Sequence, residues 1–220
     1  MVFDFHTHTT FSDGINSPIE LIRCATTSGY GGIGITDHAS YATLDFIIEN
    51  VKKDCELANK YWNIKAIAGV ELTNIPAKSI KEMAKYAKDR GTRLVVVHGE
   101  SIAEDVEENT NWEAANCSHV DILAHPGILT EREARAAAKN GIYIEITARN
   151  GHNLGNGRVV KTGRKAGVKF LINSDAHSHN NLLTEELQEK IGLGAGLNEQ
   201  EIEEIFRKNF KQFMQKLGYS

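Results

Sequence analysis

The sequence predicts an α/β fold whose parallel strands close, or nearly close, into a barrel. Three observations carry this. Seven short β-like runs alternate with segments of helical spacing. Most of these runs are apolar on consecutive residues, which suits strands buried on both faces of a parallel sheet. Six of the seven deliver a side chain of metal-ligand type at their C-terminal end.

The runs are Val2–Thr7, Gly32–Thr36, Ile64–Leu72, Arg93–His98, Val120–Ala124, Ile142–Thr147 and Val168–Asn173. Val95-Val96-Val97 shows the unbroken apolar character best. Between the runs lie helical stretches with start signals. Ser17-Pro18-Ile19-Glu20 reads as a capping box with Pro at the first helical position. Thr130-Glu131-Arg132-Glu133 repeats the pattern before an alanine-rich helix, and Gly141 stands where a terminating glycine belongs. Thr43–Tyr61, Ala77–Arg90, Thr110–Cys117 and Gly157–Ala166 fill the other gaps, and Thr184–Ile191 follows the last run. Gly192–Gly196 reads as a flexible join to a final helix, Asn198–Leu217, whose apolar positions predict packing on the barrel exterior. Strand and helix alternating in this order favour parallel strands with right-handed crossovers.

The polar residues decide between an open sheet and a barrel. His6 and His8 end the first run, and Asp13 follows it. His38 follows the second, Glu71 ends the third, His98 the fourth and His125 the fifth. Asp175 and His177 follow the seventh. Parallel strands closed into a barrel bring all these ends to one mouth. In an open sheet the outer strands would lie roughly 20 Å apart, too far to share a site. Carboxylates buried close together repel unless one protonates. Divalent ions relieve that repulsion and accept every one of these side chains. His6 and His8, two apart in a strand, point to the same side and can reach one ion.

Length and composition bound the rest. The chain has 220 residues, 41% hydrophobic and 25% charged, which suits one barrel domain over residues 1–220 of a soluble globular enzyme. A net charge of -4 gives no global attraction to nucleic acid or to an anionic membrane. Attraction for phosphate must then be local, and bound cations would supply it. Cys24, Cys55 and Cys117 are scattered and odd in number, so neither a disulfide framework nor a thiolate zinc site is expected. All three fall in expected helices, as small buried hydrophobes. No basic-then-apolar leader and no run of about 18 apolar residues occurs, so a cytoplasmic protein without a membrane span is expected.

At this point the sequence resembles the PHP (polymerase and histidinol phosphatase) family. The resemblance rests on His6-Thr7-His8-Thr9-Thr10-Phe11-Ser12-Asp13-Gly14, Thr36-Asp37-His38, Gly69-Val70-Glu71, His98, Ala124-His125-Pro126 and Ser174-Asp175-Ala176-His177. It implies a distorted (βα)7 TIM-like barrel with two or three divalent ions, Zn²⁺, Mn²⁺ or Fe²⁺. By position, His6, His8, Glu71 and Asp175 would hold one ion. Glu71, His98 and His125 would hold a second, and Asp13, His38 and His177 a third. Some family members carry His one residue beyond Asp13, where this chain has Gly14.

The activity implied is phosphoric ester hydrolysis of a small phosphorylated metabolite, with histidinol phosphate as one candidate. A hydroxide held between two ions would attack phosphorus, since bound cations lower the pKa of water. Asp175 or a metal-bound water would manage protons, and His177 or His38, when not committed to the third ion, would protonate the leaving group. Arg149 and His152, after the sixth run, would contact the phosphate or leaving group, Arg149 as a bidentate fork. Glu71, Asp175, His177, Arg149 and His152 are thus the expected catalytic residues. Asp37 is expected to brace a turn, Glu145 to pair inside the barrel, and His119 and His179 to be ordinary loop residues. A phosphodiesterase or exonuclease on nucleic acid or nucleotides is the alternative enzyme, although no basic, aromatic-studded stretch supports it. A scaffold related to the protein subunits of an RNA-processing enzyme is the non-catalytic alternative.

Overall fold

The computed structural model describes residues 1–219. Its strands are β1 (Phe3–Asp4), β2 (Gly32–Ile35), β3 (His38–Ala39), β4 (Lys65–Leu72), β5 (Leu94–His98), β6 (Ile122–Ala124), β7 (Tyr143–Thr147) and β8 (Phe170–Asn173). All the pairings are parallel, in the order β1-β2-β4-β5-β6-β7-β8. The sheet is nearly closed into a distorted (βα)7 TIM-like barrel. Thr7 bridges Ala176 in parallel, and His8 N–H donates to Ala176 O at 2.8 Å. The Asn173 side chain accepts from Phe5 N–H at 3.1 Å. A bridge and side chains thus join the first strand to the last.

Each expected run yields a strand, with two differences. The first run forms a ladder only over Phe3–Asp4. Beyond it the Thr36 hydroxyl, not a continuous ladder, takes the Thr7 N–H. The second difference is β3, two residues that pair with the end of β4 in the register His38 opposite Glu71. This pairing sets two ligand-type side chains side by side.

The helices are α1 (Pro18–Thr27), α2 (Leu44–Tyr61), α3 (Ile80–Asp89), α4 (Thr110–Ala115), α5 (Glu131–Asn140), α6 (Asn156–Ala166), α7 (Glu185–Gly194), α8 (Glu199–Glu204) and α9 (Phe210–Lys216). Both expected capping boxes form, at Ser17 and Thr130, and Gly141 adopts a left-handed conformation after α5. Cys117 lies just past α4 rather than inside it, and is buried.

The C-terminal part departs from expectation. Residues Gly192–Gly194 are not a flexible join but the last turn of α7. That helix is fixed by Gln188, whose amide donates to Phe3 O and Ile172 O at 2.9 Å each. The expected final helix is broken by a π-helical turn, Ile205–Asn209. Such a turn accommodates one extra residue. Here Asn209 is buried and its side chain donates to Phe170 O at 3.1 Å. Phe213 packs edge-on against Phe5 and Tyr143, each with ring centroids 4.7 Å away, and Phe210 lies 5.8 Å from Phe3. The segment therefore packs on the barrel at the end where β1, β7 and β8 begin. The opposite end, where the strands finish, is left to the polar residues. Among the described residues no helix is long and apolar enough to cross a membrane.

Candidate metal centre

Asp4, His6 and His8 alternate along the first strand and its extension, so all three face one side, and all three are fully buried. His6 is the hub. Its Nδ1 lies 2.7 Å from Glu145 Oε2, and its Nε2 lies 3.2 Å from Glu71 Oε1 and 3.8 Å from Asp175 Oδ1. His8 Nε2 lies 3.1 Å from Asp175 Oδ1 and 3.7 Å from Glu71 Oε2. His125 Nε2 lies 3.6 Å from Glu71 and 3.7 Å from Asp175. Strands β1, β4, β6 and β8 and the residues that follow them thus bring five side chains, His6, His8, Glu71, His125 and Asp175, into one cluster. Glu71, next to last in β4, stands among them.

Asp13 lies at the outer edge. Its Oδ1 is 3.6 Å from His38 Nε2 and its Oδ2 is 3.1 Å from His177 Nε2. The Ser12–Gly14 turn is held by Asp37, which accepts from Thr9 N–H, the Thr9 hydroxyl and the Ser12 hydroxyl, each at 2.7 Å. Asp37 thus braces the turn. Gly14 has a steric reason: a Cβ there would sit 2.3 Å from His8 O. A histidine cannot occupy that place in this loop, and Asp13 presents the donor instead.

Electrostatics follow from burial. Burial alone would raise Glu71, but the charges of His6 and His38 outweigh it and hold the carboxyl well below its ordinary range. Asp175 is lowered in the same way, against burial, mainly by His6 and His8. His6 is raised well above its ordinary value, since Glu145, Glu71 and Asp175 overcome its desolvation. His38 rises to about 10, with burial opposed by Glu71 and Asp13. Burial pulls His98 down to about 4. In this arrangement the raised His6 and His38 offset the charge of the buried carboxylates. Two backbone positions are strained: His125 has φ 26° and Asp175 has φ 52°. Such conformations in non-glycine residues cluster at functional sites and cost about 1–3 kcal/mol each.

The donors suit divalent ions. Ligand atoms of His6, His8 and Asp175 lie within 4.8 Å of one another. The same holds for His6, Glu71 and His125, for His8, Asp13, His38 and His177, and for His98, His125 and His152. Buried His8 Nδ1, His125 Nδ1 and Glu71 Oε1 have no hydrogen-bond partner. Soft cysteine donors are absent from these groups, and mixed imidazole and carboxylate sets accept first-row divalent metals.

A sequence profile of the PHP domain matches residues 4–182, from Asp4 to Leu182. The chain belongs to the PHP domain family. It is similar to an uncharacterized protein of Methanocaldococcus jannaschii, with 47% identity over 218 residues, 99% of this chain and 100% of that one. Among solved structures it resembles an archaeal ribonuclease P with mature tRNA (TM-score 0.70, 17% identity, 98% of this chain and 91% of that one). It also resembles a histidinol phosphate phosphatase of Lactococcus lactis complexed with zinc, L-histidinol and phosphate (TM-score 0.60, 15% identity, 99% and 94%). At such identities these two likenesses concern the fold of this PHP domain alone.

The remaining expected residues fall around the same mouth. His98, at the end of β5, has its ring centroid 4.4 Å from that of His125 and groups with His125 and His152. His152 is buried, in a short 3-10 turn (His152–Gly155) after β7. Arg149 is half-buried and lines a cavity of about 660 Å³ with Asn150, Asn153, Ser174, Asp175 and Asn181. His119 is half-buried outside these groups, and His179, which opens a short 3-10 turn (His179–Asn181), has Nδ1 3.2 Å from Asn16 Oδ1. A larger cavity, about 950 Å³, opens at the other end of the barrel, beside Phe3, Trp62 and Phe210, away from the mouth.

Four residues escaped sequence reasoning. Asp4 accepts from His6 N–H and Ser174 N–H, and burial pushes its carboxyl up to about 6. Its alternation with His6 and His8 was the signal. Thr73 lies 2.8 Å from His38 Nδ1 and its hydroxyl donates to Glu71 Oε2 at 3.2 Å. Asn173 donates to Glu145 Oε2 at 2.9 Å. Glu104 sits on the loop after β5, near His98 and His152; an acidic loop gave no signal for it.

Proposed function

We propose that this PHP-domain protein is a metal-dependent phosphoesterase acting on a small phosphorylated molecule, preferentially a monoester. One observation carries the reading: ligand-type side chains from six segments far apart in sequence converge on a single mouth. A structural role would not call for buried Glu71 and Asp175 together, since unpaired carboxylates are costly to bury.

His6, His8, Asp175 and Glu71 would hold one ion, and Glu71 with His125 and His98 a second. Asp13, His38 and His177 would hold a third. Bound divalent ions lower the pKa of water and neutralise charge developing on phosphate oxygens. The protein's own groups do the rest. Glu145 fixes the His6 ring, so that Nε2 faces Glu71 and Asp175. Arg149, at the rim of the cavity that also contains Asp175, binds the phosphate. Asn150, Asn153 and Asn181 line that cavity with neutral amides, and its volume suits a small organic group rather than a polymer. His177, half-buried at the outer edge, would give a proton to the leaving oxygen when it does not hold the third ion.

The likeness to a ribonuclease P structure favours a second reading, a non-catalytic subunit of a ribonucleoprotein. The same experiment separates the two. Purified protein loaded with Mn²⁺ or Zn²⁺ is expected to release phosphate from a panel of phosphomonoesters faster than it degrades single-stranded oligonucleotide. Glu71→Ala and Asp175→Ala are each expected to abolish release. Absence of bound metal and of turnover in the wild type would leave the subunit reading standing.

A further inference from the structure

The cavity of about 950 Å³ at the far end of the barrel differs in chemistry from the mouth. Seventeen residues line it and none is Asp or Glu, in a chain whose net charge is -4. Six of the seventeen are aromatic, against 7% of the whole chain, so flat rings and not branched aliphatics dominate its walls. Phe3, Trp62, Phe206 and Tyr219 are partly exposed, backed by buried Tyr30 and Phe210. Gly31 lets the Phe3 ring lie against the backbone, since a Cβ there would come within 2.7 Å of that ring. Two cations line the same space. Lys65 and Lys211 are exposed, and neither has a carboxylate oxygen within 4.0 Å among the described residues. Two more lie over the rings: the Arg23 guanidinium 5.8 Å from the Trp62 ring centre, and that of Arg93 4.9 Å from Tyr219. The Met1 amino group does not count, because it pairs with Glu185. Phe3 lies in β1, Trp62 just after α2, Lys65 opens β4, and Phe206 and Lys211 lie in the π-helical turn and α9. The basic and aromatic pattern therefore exists in the folded chain and in no single stretch of the sequence.

We propose that this cavity binds a nucleotide unit, with its base stacked among Phe3, Trp62, Phe206 and Tyr219 and its phosphate held by Lys65 and Lys211. Aromatic side chains stack any base, because every base has a π-face. Lysine takes phosphate as a point charge. The absence of carboxylates from the lining removes the repulsion that an anion would otherwise meet. The volume suits a ligand of this size. The unit has two possible sources, a free nucleotide or a single-stranded nucleic acid, and both present the same base and phosphate. The site lies at the opposite end of the strands from the mouth and needs no metal. It therefore goes beyond the phosphoesterase reading and is tested independently of it.

Trp62 reports on the site. The chain has two tryptophans, so Trp112→Phe leaves Trp62 as the sole one, and a base stacked on it quenches its fluorescence. Metal-free protein, kept in a chelator so that the mouth turns nothing over, is titrated with AMP, a short single-stranded oligoadenylate and decyl phosphate. Fluorescence and calorimetry follow each titration. AMP is expected to bind with quenching, and its affinity to fall about tenfold or more in Lys65→Ala/Lys211→Ala and to weaken with added salt. Both lysines are exposed, so the double variant keeps its fold. Oligoadenylate binding much more tightly than AMP identifies a strand as the source, and equal binding a free nucleotide. The inference is overturned if neither binds at millimolar concentration, or if the double variant binds as tightly as the wild type. It is also overturned if decyl phosphate, which has no ring, binds as well as AMP. Metal-dependent phosphate release by the double variant is expected to match the wild type, so failure here leaves the reading of the mouth untouched.

Discussion

Glu145 Oε2 stands 2.7 Å from Nδ1 of His6, and both side chains are fully buried. With Nδ1–H donating to this carboxylate, Nε2 is the nitrogen left to face Glu71 and Asp175. A carboxylate behind an imidazole fixes its ring and raises its basicity, and removing such a partner costs roughly 10–100-fold in metal affinity. Glu145→Gln is therefore expected to weaken Zn²⁺ binding by about that factor while leaving all proposed ligands in place. Competition with a chromophoric chelator measures it. An unchanged affinity would show that the His6 ring is held by packing alone.

Asp37 makes the turn that carries Asp13 rather than a metal contact. Three donors meet it, Thr9 N–H and the hydroxyls of Thr9 and Ser12. Hydrogen bonds to a charged group contribute about 1.5–3 kcal/mol each, and are not additive. Asp37→Ala is expected to cost about 2–4 kcal/mol of stability and to loosen the metal held by Asp13, His38 and His177. Urea unfolding with and without added Mn²⁺ reads both. A loss confined to one of the two would separate the bracing role from the ligand environment.

At the far end of the barrel, Phe213 is wholly buried against Phe5 and Tyr143. Phe213→Ala leaves a cavity and is expected to destabilise by about 3–5 kcal/mol. Metal binding per folded molecule is expected to stay unchanged, because the mouth lies at the other end of the strands. Denaturant unfolding and Zn²⁺ titration of the folded variant check the pair of outcomes.

What could be read from the sequence follows from what periodicity encodes. Unbroken runs such as Val95–Val97 revealed parallel strands, and ligand-type residues at their ends marked one mouth. The features that escaped depend on tertiary context. The two-residue β3 exists because His38 and Ala39 pair with the end of β4, and no window that short carries a signal. The π-helical turn answers Phe170 O, a partner distant in the chain. The Gly192–Gly194 stretch looked flexible, yet Gln188 locks its helix onto β1 and β8. Asp4 could have been found, since it shares its side of the strand with His6 and His8. Glu104, on an irregular acidic loop, could not.

Gly14 offers a direct test of how the outer edge is built. A Cβ at this position would meet His8 O at 2.3 Å, a backbone atom that cannot move without shifting a proposed ligand. Gly14→His is therefore expected not to add a donor but to cost about 1–3 kcal/mol through overpacking, and to weaken metal binding at Asp13. Gly14→Ala should do nearly the same, since the clash begins at Cβ. If Gly14→His instead tightened Mn²⁺ binding, the loop would be free to rearrange.

The contact between α6 and α8 supplies a pH-dependent stability effect remote from the metals. Arg164 Nε and Nη2 donate to the two oxygens of Glu201, at 2.6 and 2.8 Å, and Nη2 also reaches Gly196 O at 2.8 Å. The Arg164 hydrogen bond lowers the Glu201 carboxyl below its ordinary value. A carboxyl lowered on folding adds stability above its unfolded value of 4.5, and that stability is lost as pH falls through the folded value. The guanidinium stays charged throughout. Both side chains are partly exposed, so solvent screening limits the pair to about 0.5–1 kcal/mol even with this two-point geometry. A double-mutant cycle with Arg164→Ala and Glu201→Ala is expected to give that coupling at pH 7 and to approach zero as pH falls below the folded value. Because the cycle cancels the titration of every other group, a coupling that persisted in acid would mean that packing of the Arg164 stem, and not charge, joins the two helices.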